Sequence, residues 1–217
     1  MKREWDLSEV TDGKKYGPND MVKADCQDCA GCSACCHGMG DSIVLDPYDV
    51  CRLTLGTNQT MQELLAQSLE LGVVDGVILP HLQMKGKDEA CSYLDENGRC
   101  SIHPYRPGIC RMFPLGRLYE DGDFSYILQI HECKKQNRSK IKVCKWLDTP
   151  NQKAYHKYIC DWHELVGNLE AFAGDGSQEV AKQLNIEMLK LFYFRTYPSV
   201  ETFYDAFYQR LEQWRNR

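Results

Sequence analysis

The sequence predicts an α+β protein: a cysteine-rich, metal-binding half with short hairpins, followed by a bundle of about three helices. Three observations carry this reading. Five of the twelve cysteines crowd into the eleven residues from Cys26 to Cys36, and most of the others lie near turn-forming segments. Two later stretches set β-like arms about the turns Asn97-Gly98 and Asp121-Gly122, and asparagine or aspartate before glycine is a strong short-range hairpin signal. Beyond residue 148 the apolar residues recur at helical spacing instead. A chain of 217 residues fits one large domain or two small ones. The expected organisation is an irregular arm over 1–25, a cysteine-cluster region over 26–148, and a helical region over 149–217 packed on the first half.

Composition narrows the function classes. A hydrophobic content of 43% and a charged content of 26% are ordinary for a soluble globular protein. A net charge of -5 gives no basis for expecting nucleic acid as a partner. No apolar run approaches the length of a membrane span. The residues Met1-Lys2-Arg3-Glu4-Trp5-Asp6 lack the apolar stretch of a secretory signal. The cytoplasm is therefore the expected compartment, where patterned thiols serve metal or redox chemistry more often than disulfides.

In chain order, residues 1–25 are polar and broken by Gly13, Gly17 and Pro18. Ser42 to Leu45 reads as a short strand, and Asp46-Pro47 as a helix cap followed by proline at the first helical position. That helix carries Cys51 among apolar residues, which suits a buried structural thiol. Thr60 and Glu63 form a capping box, opening a helix expected to reach Leu71 before Gly72 stops it. Val73 to Gln83 is β-like. A type I′ hairpin turn at Asn97-Gly98 would bring Cys91 and Cys100 together. A loop stiffened by Pro104, Pro107 and Pro114 then delivers Cys110 between Arg106 and Arg111, and a second hairpin around 120–123 leads to Cys133. Thr149-Pro150 starts a helix to about Phe172, and Gly174, Gly176 and Ser177 separate it from a helix over about 178–195, with Val180, Leu184, Met188 and Leu191 on one face. A last helix carries Val200, Phe203, Phe207, Leu211 and Trp214.

The chemistry sits in Cys26-Gln27-Asp28-Cys29-Ala30-Gly31-Cys32-Ser33-Ala34-Cys35-Cys36. Thiolates are soft ligands for zinc, copper(I) or iron–sulfur clusters, and two-residue gaps let one loop wrap a single centre. Adjacent side chains tend to point apart, so Cys35 and Cys36 are expected to serve different irons or different sites. Cys29, Cys32, Cys35, Cys36, Cys91, Cys100, Cys110 and Cys133 would supply two four-sulfur clusters or two all-cysteine zinc ions, with Cys26 a ninth candidate ligand. His37, His103 and His131 stand near these cysteines; each could replace one sulfur, but reads rather as a hydrogen-bond donor to a ligand or as a surface residue. His156, Cys160 and His163 share one helix face, which reads as a surface docked on the cysteine-rich half rather than as a metal site.

Taken in order, Cys29 to Cys36, Cys91, Leu94-Asp95, Gly98 to Ile102, Arg106-Pro107, Cys110-Arg111 and Phe113-Pro114 resemble the CxxCxxCC (YkgJ-type) family of zinc- or iron-chelating proteins, over roughly 26–133. The resemblance implies a metal or iron–sulfur site on the matching cysteines. The family's cysteine signature is similar to that of flagellin lysine-N-methylases, which implies iron–sulfur-dependent protein modification as one activity. Three classes stay open: an iron–sulfur protein for redox or modification chemistry, a zinc-stabilised interaction module, and a metal-handling protein. Five thiols in one compact run favour iron–sulfur, of the 4Fe-4S type, over zinc. A protein substrate or a redox partner is the expected partner.

Overall fold

The computed structural model describes residues 7–27, 32–135, 137–175 and 178–217. The chain opens with α1 (Leu7–Val10), β1 (Thr11–Tyr16) and β2 (Met21–Asp25), then a 3-10 turn at Ala34–Cys36. Next come α2 (Pro47–Thr57), α3 (Met61–Gln67), β3 (Leu69–Val74), β4 (Val77–Leu82), β5 (Met84–Lys85) and β6 (Ala90–Cys91). The middle of the chain forms α4 (Gly108–Met112), β7 (Leu115–Glu120), β8 (Asp123–Gln129), β9 (Ser139–Lys142) and α5 (Val143–Leu147). The long helix α6 (Gln152–Asp175) leads to α7 (Gln178–Leu189), a π-helical turn at Lys190–Phe194, and α8 (Phe203–Arg215). The fold is mixed α and β, with helices gathered at the C-terminal end. Among the described residues no helix is long and apolar enough to cross a membrane.

The strands make small antiparallel sheets: β1-β8-β7, and the pairs β2-β9, β3-β4 and β5-β6. Residues 7–25 are therefore not an irregular arm. β1 adds to the edge of the β7-β8 hairpin and β2 pairs with β9, because the backbone groups of each polar segment find a partner strand far along the chain. The helix that starts at Met61 ends at Gln67, short of Leu71. Asp75 and Gly76 both adopt positive φ, 48° and 85°, between the paired residues Val74 and Val77. That two-residue turn claims Leu69–Val74 as a strand against β4. Asp121-Gly122 makes the same kind of turn between β7 and β8, at φ 50° and 78°.

Both expected caps form. Asp46 and Asp49 close a reciprocal box at the start of α2, and Thr60 and Glu63 one at the start of α3. Residues 43–45 run extended beside β4, with Leu45 N–H donating to Pro80 O at 2.8 Å and Leu82 N–H to Ile43 O at 3.0 Å. Asn151, rather than Thr149, caps α6 through Ala154 N–H. Of the apolar face expected on α7, Val180 is exposed while Met188 and Leu191 are buried.

One apolar cluster runs through both halves. Its centre is aromatic: Tyr48 of α2 sits among Tyr155 and Tyr158 of α6 and Phe203 and Tyr204 of α8, at ring-centroid distances of 5.0–6.2 Å. Three buried polar side chains fix the helical region to the first half. The Tyr158 hydroxyl donates to Asp46 Oδ1 and accepts from Tyr48 N–H, both at 3.0 Å. Tyr193 donates to Leu45 O at 2.9 Å. Asn185 clamps the β3-β4 turn, accepting from Ile78 N–H at 2.7 Å and donating to Gly76 O at 3.0 Å.

Replacing Tyr158 with Phe leaves the buried Tyr48 N–H without its acceptor, and should cost about 1–3 kcal/mol, read from urea denaturation; an unchanged midpoint would show that the contact carries no stability. A fragment ending at Asp148 uncovers Tyr48 and the β3-β4 turn. It should aggregate, whereas a soluble fragment with native circular dichroism would mean that the first half closes its own core.

Candidate metal centre

Cys91 and Cys100 stand at the two ends of a short loop. β6 carries Cys91, paired with Met84. The chain returns so that Leu94 bridges Cys100 and Ser101 N–H donates to Tyr93 O at 2.8 Å. The turn between them is not type I′: Gly98 has φ 69°, but Asn97 is not in the left-handed region. Asp95 decides this, because its Oδ1 accepts from Asn97 N–H at 2.9 Å and Arg99 N–H at 2.8 Å. An aspartate that gathers its own following backbone amides makes the turn without a second positive φ.

Cys110 lies on α4, a helix too short to stand alone. Its start is held by Asp49, whose Oδ1 accepts from Gly108 N–H at 2.7 Å. Its end is held by Trp146 of α5, whose indole N–H donates to Met112 O at 3.1 Å and Phe113 O at 3.2 Å. A Cβ at position 108 would meet the Tyr155 hydroxyl at 2.9 Å and Asp49 Oδ1 at 3.4 Å, so glycine permits this close approach. Asp49 is itself buried, and burial raises its carboxyl to about 7, with Asp46 adding to the rise and Arg111 opposing it.

Cys35 and Cys36 sit in the 3-10 turn. They are not parted to separate places: both line one cavity. The Cys36 thiol as donor lowers Cys35 to about 7, while Cys36 is pushed up by that same bond, by burial, and by Cys91 and Cys100. Burial first, and then the charges of neighbouring thiols, raise Cys91, Cys100 and Cys110 as well. Five thiols from three segments thus act on one another. Deprotonating several of them together requires a cation to offset the charge, which is the service a bound metal provides.

Cys32, Cys35, Cys36, Cys100 and Cys110 line a cavity of about 80 Å³, closed elsewhere by Met39, Ile43, Phe113 and Trp146. Arg106 also lines it and eases ionisation of Cys35 and Cys100; its Nη1 lies 2.6 Å from His103 Nε2. Arg111 points elsewhere: it is 4% exposed, its charge acts on Asp49 and Tyr48, and its Nη atoms have no hydrogen-bond partner among the described residues. Among the described residues, no three of the cysteine sulfurs lie mutually within 4.8 Å. A tetrahedral zinc ion with Zn–S bonds of about 2.3 Å would draw its sulfurs to about 3.8 Å from one another. The thiols as they stand are spread more widely than one such ion.

The other expected ligands divide. Cys26 is buried and acts on Cys35. Cys29 lies outside the described residues, as does part of the Gly174-Asp175-Gly176 segment. Cys133 is half-buried and does not line this cavity. Cys51 is buried in the core with its Sγ 3.9 Å from Ser199 O, a structural thiol. His37 Nδ1 lies 3.3 Å from Asp88 O, and His131 is exposed. The stripe on α6 docks on the β7-β8 hairpin: His163 stacks on Tyr119 at 3.6 Å and His156 on Phe124 at 4.3 Å. Sequence reasoning missed the positioning residues Asp49, Asp95 and Trp146. Only Asp95, two residues before an Asn-Gly pair, carried a local signal.

A family model named CxxCxxCC, described as "Putative zinc- or iron-chelating domain", matches residues 28–145, more than half of the chain. No curated protein and no solved structure matches the chain.

Replacing Asp49 with Ala strands the Gly108 N–H beneath Cys110. Stability should fall by about 1–3 kcal/mol, and a chelator should strip bound metal faster. An unchanged stripping rate would mean that α4 does not need this anchor.

Proposed function

The chain belongs to the CxxCxxCC family, and on that premise we propose that its thiol cluster holds an iron–sulfur centre of the 4Fe-4S type, used for redox or protein-modification chemistry. One observation carries the reading: Cys32, Cys35, Cys36, Cys100 and Cys110, brought from three segments, line one cavity, and Cys91 acts on Cys35 and Cys100 from beside it. The proposed ligands come from Cys29, Cys32, Cys35, Cys36, Cys91, Cys100, Cys110 and Cys133, with Cys26 as an alternate. Cys29 and Cys133 rest on the sequence pattern alone.

A cluster held here supplies one-electron chemistry. The residues of this chain would tune it: Arg106 favours the more negative, reduced state, and Met39, Ile43, Phe113 and Trp146 exclude water from the thiolates. The partner on this reading is a redox protein or a protein substrate, and the compartment is the reducing cytoplasm. A zinc staple is the second reading. The loop-rich course of residues 86–107 favours it, since such a segment gains order from a metal.

Protein purified without oxygen should be brown, with a broad absorption shoulder near about 400 nm, and should carry iron and sulfide. Cys100→Ser and Cys110→Ser should each lose most of that absorption and iron. A colourless protein with stoichiometric zinc would overturn the cluster in favour of the staple. Unchanged metal in both variants would remove these thiols from the ligand set.

A further inference from the structure

Away from the thiol cluster, the structure gathers three different metal-ligating side chains at the edge where α6 crosses the β7-β8 turn. Nε2 of His156, Sγ of Cys160 and a carboxylate oxygen of Asp123 all lie within 4.8 Å of one another. The focus is Asp123 Oδ1, with His156 Nε2 at 2.5 Å and Cys160 Sγ at 3.6 Å. We propose that Asp123, His156 and Cys160 form a second, mononuclear metal site for a borderline divalent cation such as zinc, distinct from the thiol cluster.

The geometry is built rather than incidental. His156 and Cys160 stand one helical turn apart on the same face of α6, so the rigid helix fixes their separation. The imidazole lies flat on Phe124, with ring centroids 4.3 Å apart and planes 18° apart, which aims Nε2 toward the carboxylate. Phe124 N–H donates to Asp123 Oδ1 at 2.7 Å and orients the carboxylate from behind, as the outer partners of metal ligands do. Asp123 opens the β8 strand beside the Asp121-Gly122 turn, so its side chain is fixed at one end and 70% exposed. A cation can therefore enter from solvent and keep a fourth position for water.

The donor set selects the ion. One imidazole nitrogen, one thiolate sulfur and one carboxylate oxygen are the ligand types zinc accepts, at about 2.0–2.3 Å. Calcium and magnesium require oxygen ligands, so the thiol and the imidazole argue against them. The simpler reading is an ion pair between His156 and Asp123 with the Cys160 thiol donating a long hydrogen bond to the same oxygen, but exposed contacts of that kind contribute little, and a metal uses all three donors at once. Two nearby charges set the balance: half-buried Arg117 opposes a cation, and Asp161, already paired with Lys157 at 2.6 Å, favours one. Binding would displace the thiol proton to solvent and replace the His156–Asp123 hydrogen bond with two metal bonds.

Cobalt(II) serves as the probe, because a cobalt–thiolate bond gives a charge-transfer absorption. The full-length protein, with its thiol cluster loaded as purified, is titrated beside Cys160→Ser, His156→Ala and Asp123→Asn. The wild type should take up one cobalt per chain with that band. Cys160→Ser should lose the band, and the other two variants should bind at least about tenfold more weakly. Zinc should displace the cobalt. Iron and sulfide content should be equal in all four proteins, which separates this site from the cluster. Equal uptake and an equal band in wild type and Cys160→Ser, or no uptake by the wild type, would overturn the proposal. Thermal unfolding of each variant checks that the partly exposed substitutions leave the fold intact.

Discussion

The buried hydrogen bond from Gly108 N–H to the Asp49 carboxylate is the joint on which this structure turns. Asp49 caps α2 from within, and the same side chain reaches 59 residues along the chain to hold the start of α4. Tyr155 closes over that contact from α6, donating nothing to it but leaving no room for a side chain at position 108. Remove the joint and Cys110 sits on five residues of helix with no independent stability. A carboxylate fully withdrawn from water is costly unless it is hydrogen-bonded or protonated. Here the amides of Gly108 and Asp46 and the charge of Arg111 offset that cost, and burial still raises the group.

The thiol cluster reverses the usual logic of a core. Half-buried sulfurs from three segments face one another, and each raises the cost of ionising the next. Arg106 eases part of this, but one guanidinium does not balance several thiolates. The arrangement is most stable when a multivalent positive centre lies among the sulfurs. Folding of the loops around Cys35 and Cys91 is then coupled to metal, whereas the aromatic centre around Tyr48 is held by ring packing and the Tyr158 hydrogen bonds.

That division explains the role of the C-terminal helices. They carry none of the clustered thiols, yet Tyr155 packs against Gly108 at the start of the helix that holds Cys110, and Tyr158 bonds to Asp46 of the same box as Asp49. The helices make a rigid wall behind a loop-built centre. The same wall brings His156 and Cys160 against Asp123 on its outer edge.

Much of this was legible in the sequence. The two capping boxes, the Asp121-Gly122 hairpin, the aromatic face of the last helix and the cysteine spacing each depend on residues close together in the chain, whose geometry local sterics dictate. The long-range pairings were not. Nothing near Thr11–Tyr16 announces β8 as its partner, and nothing near Leu69 says that Asp75-Gly76 will turn a helical pattern into a strand. Asn97-Gly98 was misread because the Asp95 side chain offers the amides another acceptor. Cys35 and Cys36 were expected to part because that inference assumed an extended loop; the chain instead makes a 3-10 turn there, and both line one cavity. The sequence alone determined that this chain carries a cysteine-rich metal-binding pattern of the CxxCxxCC type and where α2, α3 and α7 begin. Only the tertiary structure decided which thiols meet and that Asp123, not His163, joins His156 and Cys160, because both depend on contacts whose partners are brought together by burial rather than by proximity along the chain.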